Sequence, residues 1–248
     1  MNQKIQTLIH IGQEKMAASR DTMHDIDHVK RVVQYSERFA SEYDLSEKEK
    51  QALILAAWWH DVSRTFGQGN GTYLMFFSLI DDLVSAAMLW WKTVQFGMFG
   101  TAAGLAIRII LCKTIGTGAV FTKLLLRKKH RLLVNILKDA DNIDLVHINR
   151  VERLLRLAEL SRMNQQVYRI MIRWHVRVSH LTMRTRVARE YIVEVIKQLI
   201  EWMKNTNVYL WHIQRFGKQW IDENMERVRH LYKDLCSIGG LKPVANLI

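Results

Sequence analysis

Proline is almost missing from this 248-residue chain; a single one, Pro243, stands near the C-terminus. Proline-rich linkers are therefore excluded, and little prevents long helices from forming. Cysteine is nearly as scarce. Cys112 and Cys236 lie far apart and make neither a CxxC metal knuckle nor a disulfide framework, which points to a reducing, cytoplasmic setting. Acidic residues are few: 24 Asp and Glu stand against 36 Lys and Arg, for a net charge of +12. No acid occurs from Leu83 to Lys138 or from Ser161 to Arg189. An ordinary acidic enzyme surface is excluded, and an anionic substrate or partner is expected. Long apolar runs are absent too. The longest charge-free stretch within residues 73–126, Thr93 to Ile107, has 15 residues, short of the roughly 20 that span a bilayer. No membrane span is expected. The first residues, MNQKIQTLIHIGQEK, read as an amphipathic helix without the apolar core of a signal peptide.

What is present is apolar and helix-forming. Hydrophobic residues make up 49% of the chain, enough for a sizeable core. Periodicity predicts helices over 2–18, 24–43 and from Ser46 to about His60, the last opened by a Ser46-x-x-Glu49 capping box. Eight of the twelve glycines fall between 67 and 118, and Gly67-x-Gly69-x-Gly71 reads as a loop. Further helices are predicted at 73–95, 99–114 and 119–146, with Gly116 and Gly118 at the turn before the last of these. More helices follow from residue 150, with loops near 161–164, 178–183, 204–208 and 237–243. No alternating β pattern competes, so the fold class is all-α.

The residues with chemical capacity sit at a few helix positions. His28 continues the apolar row Val32, Tyr35, Phe39 and should face inward. His60 shares a face with Leu53, Ala56 and Ala57 and should do the same, with Asp61 beside it. A third segment, Ile136 to Asp144, places Asp139, Asp141 and Asp144 at the end of an apolar helix. Inward histidines and carboxylates need a reason to be buried, and a divalent metal is the usual one. Asp139 and Asp141 lie about 200° apart around the helix, one on each flank of its apolar face, so periodicity leaves both open as ligands. Asp144 falls nearer the centre of that face and needs a buried partner. Arg64 is a candidate for that role, or for a substrate phosphate.

In order and spacing, Asp25-x-x-His28-x-x-Arg31-Val32, Ala56-Ala-Trp-Trp-His60-Asp61-Val62 and Asp139-Ala-Asp141-x-x-Asp144 resemble the HD-domain superfamily of metal-dependent phosphohydrolases, closest to its small stand-alone bacterial members. The resemblance covers about residues 20–150. It implies a helical core there; with no linker that compels a second domain, a single all-helical domain over 1–248 is expected, with helices 151–248 packed on that core. It also implies His28, His60, Asp61 and Asp141 as metal ligands. Between the HD pair and the last aspartate the chain has one histidine, His130, where two-metal relatives have several. One divalent ion is therefore expected, with Mn, Fe, Co or Ni suiting the mixed N/O donors better than Mg. Some relatives carry histidine or glutamate near Asp81-Asp82, and some carry histidine where Lys113-Thr114 stands here. Asp81 and Asp82 are accordingly candidates, beside Asp61, for catalytic carboxylates, or else helix caps. The implied reaction is hydrolysis of a phosphoester or phosphoanhydride, a phosphorylated small molecule such as a nucleotide, by water activated on the ion.

The basic stretches extend the reading. Lys128, within Arg127-Lys-Lys-His-Arg131, and Arg173, in the row Arg169, Arg173, Arg177, are candidate substrate contacts. Val167, Ile170, Met171, Trp174 and Val178 are expected to form the apolar face opposite that row. Alternatively the arginines line a solvated face, paired with glutamates from other helices. Trp58-Trp59 and Trp90-Trp91 are expected as packing residues, the latter pair also as a potential contact between subunits. The alternative function is a basic helical nucleic-acid-binding or scaffold protein whose HD site is structural or degenerate.

Overall fold

A computed structural model describes residues 3–66, 80–98, 100–114, 117–176, 181 and 183–241. Among these there are twelve α-helices and no strand, as expected for an all-α chain. The helices are α1 (Gln3–Ala17), α2 (Ile26–Ala40), α3 (Glu47–Trp59), α4 (Asp81–Gln95), α5 (Ala102–Lys113), α6 (Gly118–Leu125), α7 (Arg131–Asp144), α8 (Ile148–Leu160), α9 (Arg162–His175), α10 (Arg186–Lys204), α11 (Thr206–Phe216) and α12 (Lys218–Gly239). Short 3₁₀ turns cover Val62–Phe66 and Lys128–His130. The glycine loop at 67–71, the first residues of the helix expected from 73, Gly116, Arg177, Val178 and Pro243 lie outside the described residues. No helix among those described is long and apolar enough to cross a membrane.

The chain forms two compact units, Met1–Asp141 and Asn142–Ile248. In the first, α3 is central: α1, α2 and α5 pack on it, and α4 packs on α5. Helix α3 buries Ala52, Leu53, Leu55, Ala56, Ala57, Trp58 and Trp59, so nearly its whole circumference is interior. Its start is fixed by the predicted capping box, in which Glu49 Oε2 accepts the Ser46 backbone N–H at 3.0 Å. Its end is fixed by Trp59, whose Nε1 donates to the Leu8 carbonyl of α1 at 2.8 Å. Gly12, one turn further along α1, faces that indole. A Cβ there would stand 2.8 Å from Trp59 Nε1, so only glycine fits without displacing the ring. Helix α2 follows its predicted pattern, with Val29, Val32, Val33, Tyr35 and Phe39 all buried. Asp25 caps it by accepting the His28 N–H at 3.0 Å.

Two expectations for the first unit are corrected. The helix expected at 119–146 is interrupted: Leu126 takes an extended conformation and is buried, and the 3₁₀ turn then leads into α7. The run of like charges from Arg127 to Arg131 disfavours a continuous helix at that point, without any proline or glycine to signal the break. Trp90 and Trp91 are exposed, at 54% and 56%, whereas Trp58 and Trp59 are buried as expected. Helix α4 turns Leu89 and Thr93 inward instead.

In the second unit α10 packs on α12, α8 on α9, and α11 on α10 and α12. The breaks expected near 161–164 and 204–208 shrink to Ser161 and Asn205, each capping the next helix with its own side chain. Gly217, at φ +86°, makes an unpredicted break between α11 and α12. The inward row of α9 is Tyr168, Ile172, Val176; Ile170 and Trp174 are exposed, contrary to the expected apolar face. The register is set by Tyr168, whose hydroxyl meets buried His212 Nε2 at 2.7 Å. His212 Nδ1 donates to the Val208 carbonyl at 2.6 Å, so Nε2 is left to accept the phenolic proton. Phe216 stacks on Tyr168, and Trp220 on His212, with centroids 5.7 and 5.8 Å apart. An aromatic core thus closes this unit.

Candidate metal centre

Three elements of the first unit bring the candidate residues together. The first turn of α2 carries His28, the chain just past α3 carries His60 and Asp61, and the last turn of α7 carries Asp141. His28, His60 and Asp141 each offer a donor atom within 4.8 Å of the other two. Asp61 joins through Oδ2, 3.1 Å from His28 Nε2 and 3.4 Å from His60 Nε2. Asp141 Oδ1 lies 3.5 Å from His28 Nε2 and 3.8 Å from His60 Nε2. Both histidines and Asp61 are buried, and Asp141 is half-buried.

His60 tests whether the cluster fits a cation. Its Nδ1 lies 2.7 Å from the Ala57 carbonyl, which can only accept, so Nδ1 carries a proton. Nε2 then faces Asp61 Oδ2, and neither atom has a hydrogen-bond partner. A lone pair opposite a carboxylate oxygen is repulsive unless a proton or cation lies between them. The spacing fits a cation. Ligands bonded at about 2.1 Å stand ~3.0 Å apart at adjacent octahedral corners and ~3.4 Å apart in a tetrahedron. The four imidazole–carboxylate separations run from 3.1 to 3.8 Å. Two imidazole nitrogens and two carboxylate oxygens are a suitable set for a divalent transition ion.

The surrounding charges favour ionised ligands. Burial opposes ionisation of Asp61, yet a proton on the imidazoles, in the place a cation would take, holds its carboxyl well below the usual range. Burial opposes ionisation of Asp141 as well, but Lys113 and the histidines hold it far below that range. Lys113 ends α5 with Nζ 2.9 Å from Asp141 Oδ2 and 3.3 Å from Asp82 Oδ1. Burial alone would lower its pKa; Asp141, Asp82 and Asp61 override that and raise it.

The other candidate residues lie as follows. Asp81 and Asp82 open α4 behind Ile80 as N-cap, so neither is the cap. Asp81 Oδ2 pairs with Arg64 Nη2, and Ser63 Oγ donates to its Oδ1 at 3.4 Å. Burial pushes Asp81 up to about 6 despite Arg64, and it raises Asp82 despite Lys113. The partner sought for buried Asp144 is Arg150, at 3.2 Å, rather than Arg64. Six residues beyond the motif, on the next helix, Arg150 carried no periodic signal. Asp139 is fully buried and does not belong to the His28, His60, Asp141 group. Lys128 is exposed on the 3₁₀ turn. Arg173 belongs to the second unit, exposed, 3.9 Å from Glu223 of α12. Cys112 and Cys236 are buried free thiols. Comparison of the chain with protein-family models, with curated proteins and with solved structures finds no match.

Proposed function

We propose that this chain is a metal-dependent phosphohydrolase of the HD type, cleaving a phosphoester or phosphoanhydride, with nucleotides as the substrate class. One divalent ion would be held by His28, His60, Asp61 and Asp141. The observation that carries the reading is His60, locked through Nδ1 to Ala57 with Nε2 aimed at the other three side chains. When bound, such an ion supplies Lewis-acid activation of water and offsets charge on the phosphoryl group. The chain itself keeps the donors deprotonated: Lys113 holds Asp141 ionised and turned into the cluster. Asp82, raised by burial and held beside Asp141 by Lys113, is the carboxylate positioned to take a proton from water. Arg64, paired to Asp81, is oriented rather than free, so a substrate phosphate would have to compete with Asp81 for it.

Elemental analysis after loading with Mn²⁺, Fe²⁺, Co²⁺, Ni²⁺ or Mg²⁺, followed by a panel of nucleotides and phosphoesters, tests the proposal. The expected result is a retained transition ion and turnover, both lost in Asp61→Ala. Absence of both metal and turnover in the wild-type protein refutes it. The exposed cations Arg127, Lys128 and Lys129 support the second reading, nucleic-acid binding. That reading predicts salt-sensitive DNA or RNA binding that survives Asp61→Ala.

A further inference from the structure

Lys113 brings an ammonium to the acidic side of the cluster, and its side chain is only 13% exposed. It divides the work of Asp141. Oδ1 of that carboxylate faces the two imidazoles at 3.5 and 3.8 Å, while Oδ2 meets Nζ at 2.9 Å. One oxygen toward each of two neighbouring cations is how a carboxylate bridges a two-metal site. Resting on the metal-site reading above, we propose that the Lys113 ammonium is a built-in second cation. It occupies the place a second ion would take and limits the centre to one.

Charge counting agrees. Asp61, Asp82 and Asp141 bring three negative charges, the imidazoles are neutral as ligands, and Asp81 is balanced by Arg64. Lys113 leaves two negative charges, which one divalent ion neutralises. With a neutral residue at 113, three negative charges remain around a pocket of carboxylate oxygens from Asp82 and Asp141. Such an oxygen-only nest suits a hard cation such as Mn²⁺ or Mg²⁺. The residue that blocks the second ion also orients a ligand of the first, so Lys113 is a positioning residue rather than a catalytic one.

Equilibrium dialysis against Mn²⁺ with elemental analysis, together with electron paramagnetic resonance, tests this on the full chain. Wild type and Lys113→Arg should hold one ion per chain up to millimolar Mn²⁺, with a mononuclear signal. Lys113→Met and Lys113→Gln should take a second ion and develop the signal of a coupled pair. Adding Asp82→Asn to Lys113→Met should return the count to one. A second ion in wild type at the centre overturns the inference. So does one ion in whichever neutral variant folds, and both results leave the metal reading intact. No ion in wild type overturns the metal reading and the inference with it.

Discussion

Gly12→Ala probes the contact that fixes the end of α3, the turn that presents His60 and Asp61. In an ordinary helix interior this change stabilises by about 1 kcal/mol, because alanine has less backbone freedom to lose. Here the new methyl would lie 2.8 Å from Trp59 Nε1, 3.1 Å from Cδ1 and 3.4 Å from Cε2. The indole is fully buried and tethered by its bond to the Leu8 carbonyl. Forcing extra volume into a packed core costs about 1–3 kcal/mol. If the ring swings away instead, it leaves a buried N–H unbonded, again about 1–3 kcal/mol. The clash offsets or outweighs the propensity gain, so a net loss of up to about 2 kcal/mol is expected. Urea denaturation of four proteins decides the matter: wild type, Gly12→Ala, Trp59→Phe and the double variant. Phenylalanine removes the pyrrole edge that the methyl meets, so in that background Gly12→Ala should be neutral or stabilising. An equal effect in both backgrounds, within about 0.5 kcal/mol, would refute the reasoning. So would a more stable Gly12→Ala single variant.

Removing metal with a chelator should lower the Tm of wild type and leave Asp61→Ala unchanged, since an ion at a hundred times its Kd adds about 2.7 kcal/mol; equal shifts in both proteins contradict the assigned site. Arg150→Met should cost about 3–5 kcal/mol by removing an ion pair from the fully buried Asp144 carboxylate, and a loss below about 1 kcal/mol by denaturation would show the pair to be dispensable. Tyr168→Phe should cost about 1–2 kcal/mol, because His212 Nε2 loses its donor inside the aromatic core. Burial lowers the pKa of His212, so the unfolded chain takes up a proton near the usual 6.5 before the folded one does. Stability from this residue is therefore complete above pH 6.5 and is lost as pH falls below it. His212→Gln should flatten that slope in melting curves recorded from pH 7.5 to 5.

Much of the His/Asp cluster was legible in sequence because its side chains lie on or beside helices with clear inward faces. His28 follows Val32, Tyr35 and Phe39, all buried as the period of 3.6 requires. Asp141 was separable from Asp139 only by resemblance, since both flank the same face; the folded chain places Asp141 beside the histidines. Side chains whose partners lie on other helices were less legible. Lys113 meets Asp82 across 31 residues, and no local pattern reports that. Helix α9 was rotated in expectation because aliphatic residues were counted as the inward face, whereas a hydroxyl-bearing ring, Tyr168, has the buried partner. Trp90 and Trp91 show the same fault in reverse, since large apolar area alone does not assign a residue to the interior.

The bond that orients His60 ends on the main-chain oxygen of residue 57. Every amino acid supplies that oxygen, so no substitution at 57 deletes the acceptor. Genetic drift can alter the neighbouring carboxylates and the lysine one at a time, yet the tautomer of His60 persists as long as α3 stays helical. The imidazole's readiness to bind a cation is thus among the properties of this chain most robust to point mutation. A descendant that lost Asp61 or Asp141 would be expected to keep it.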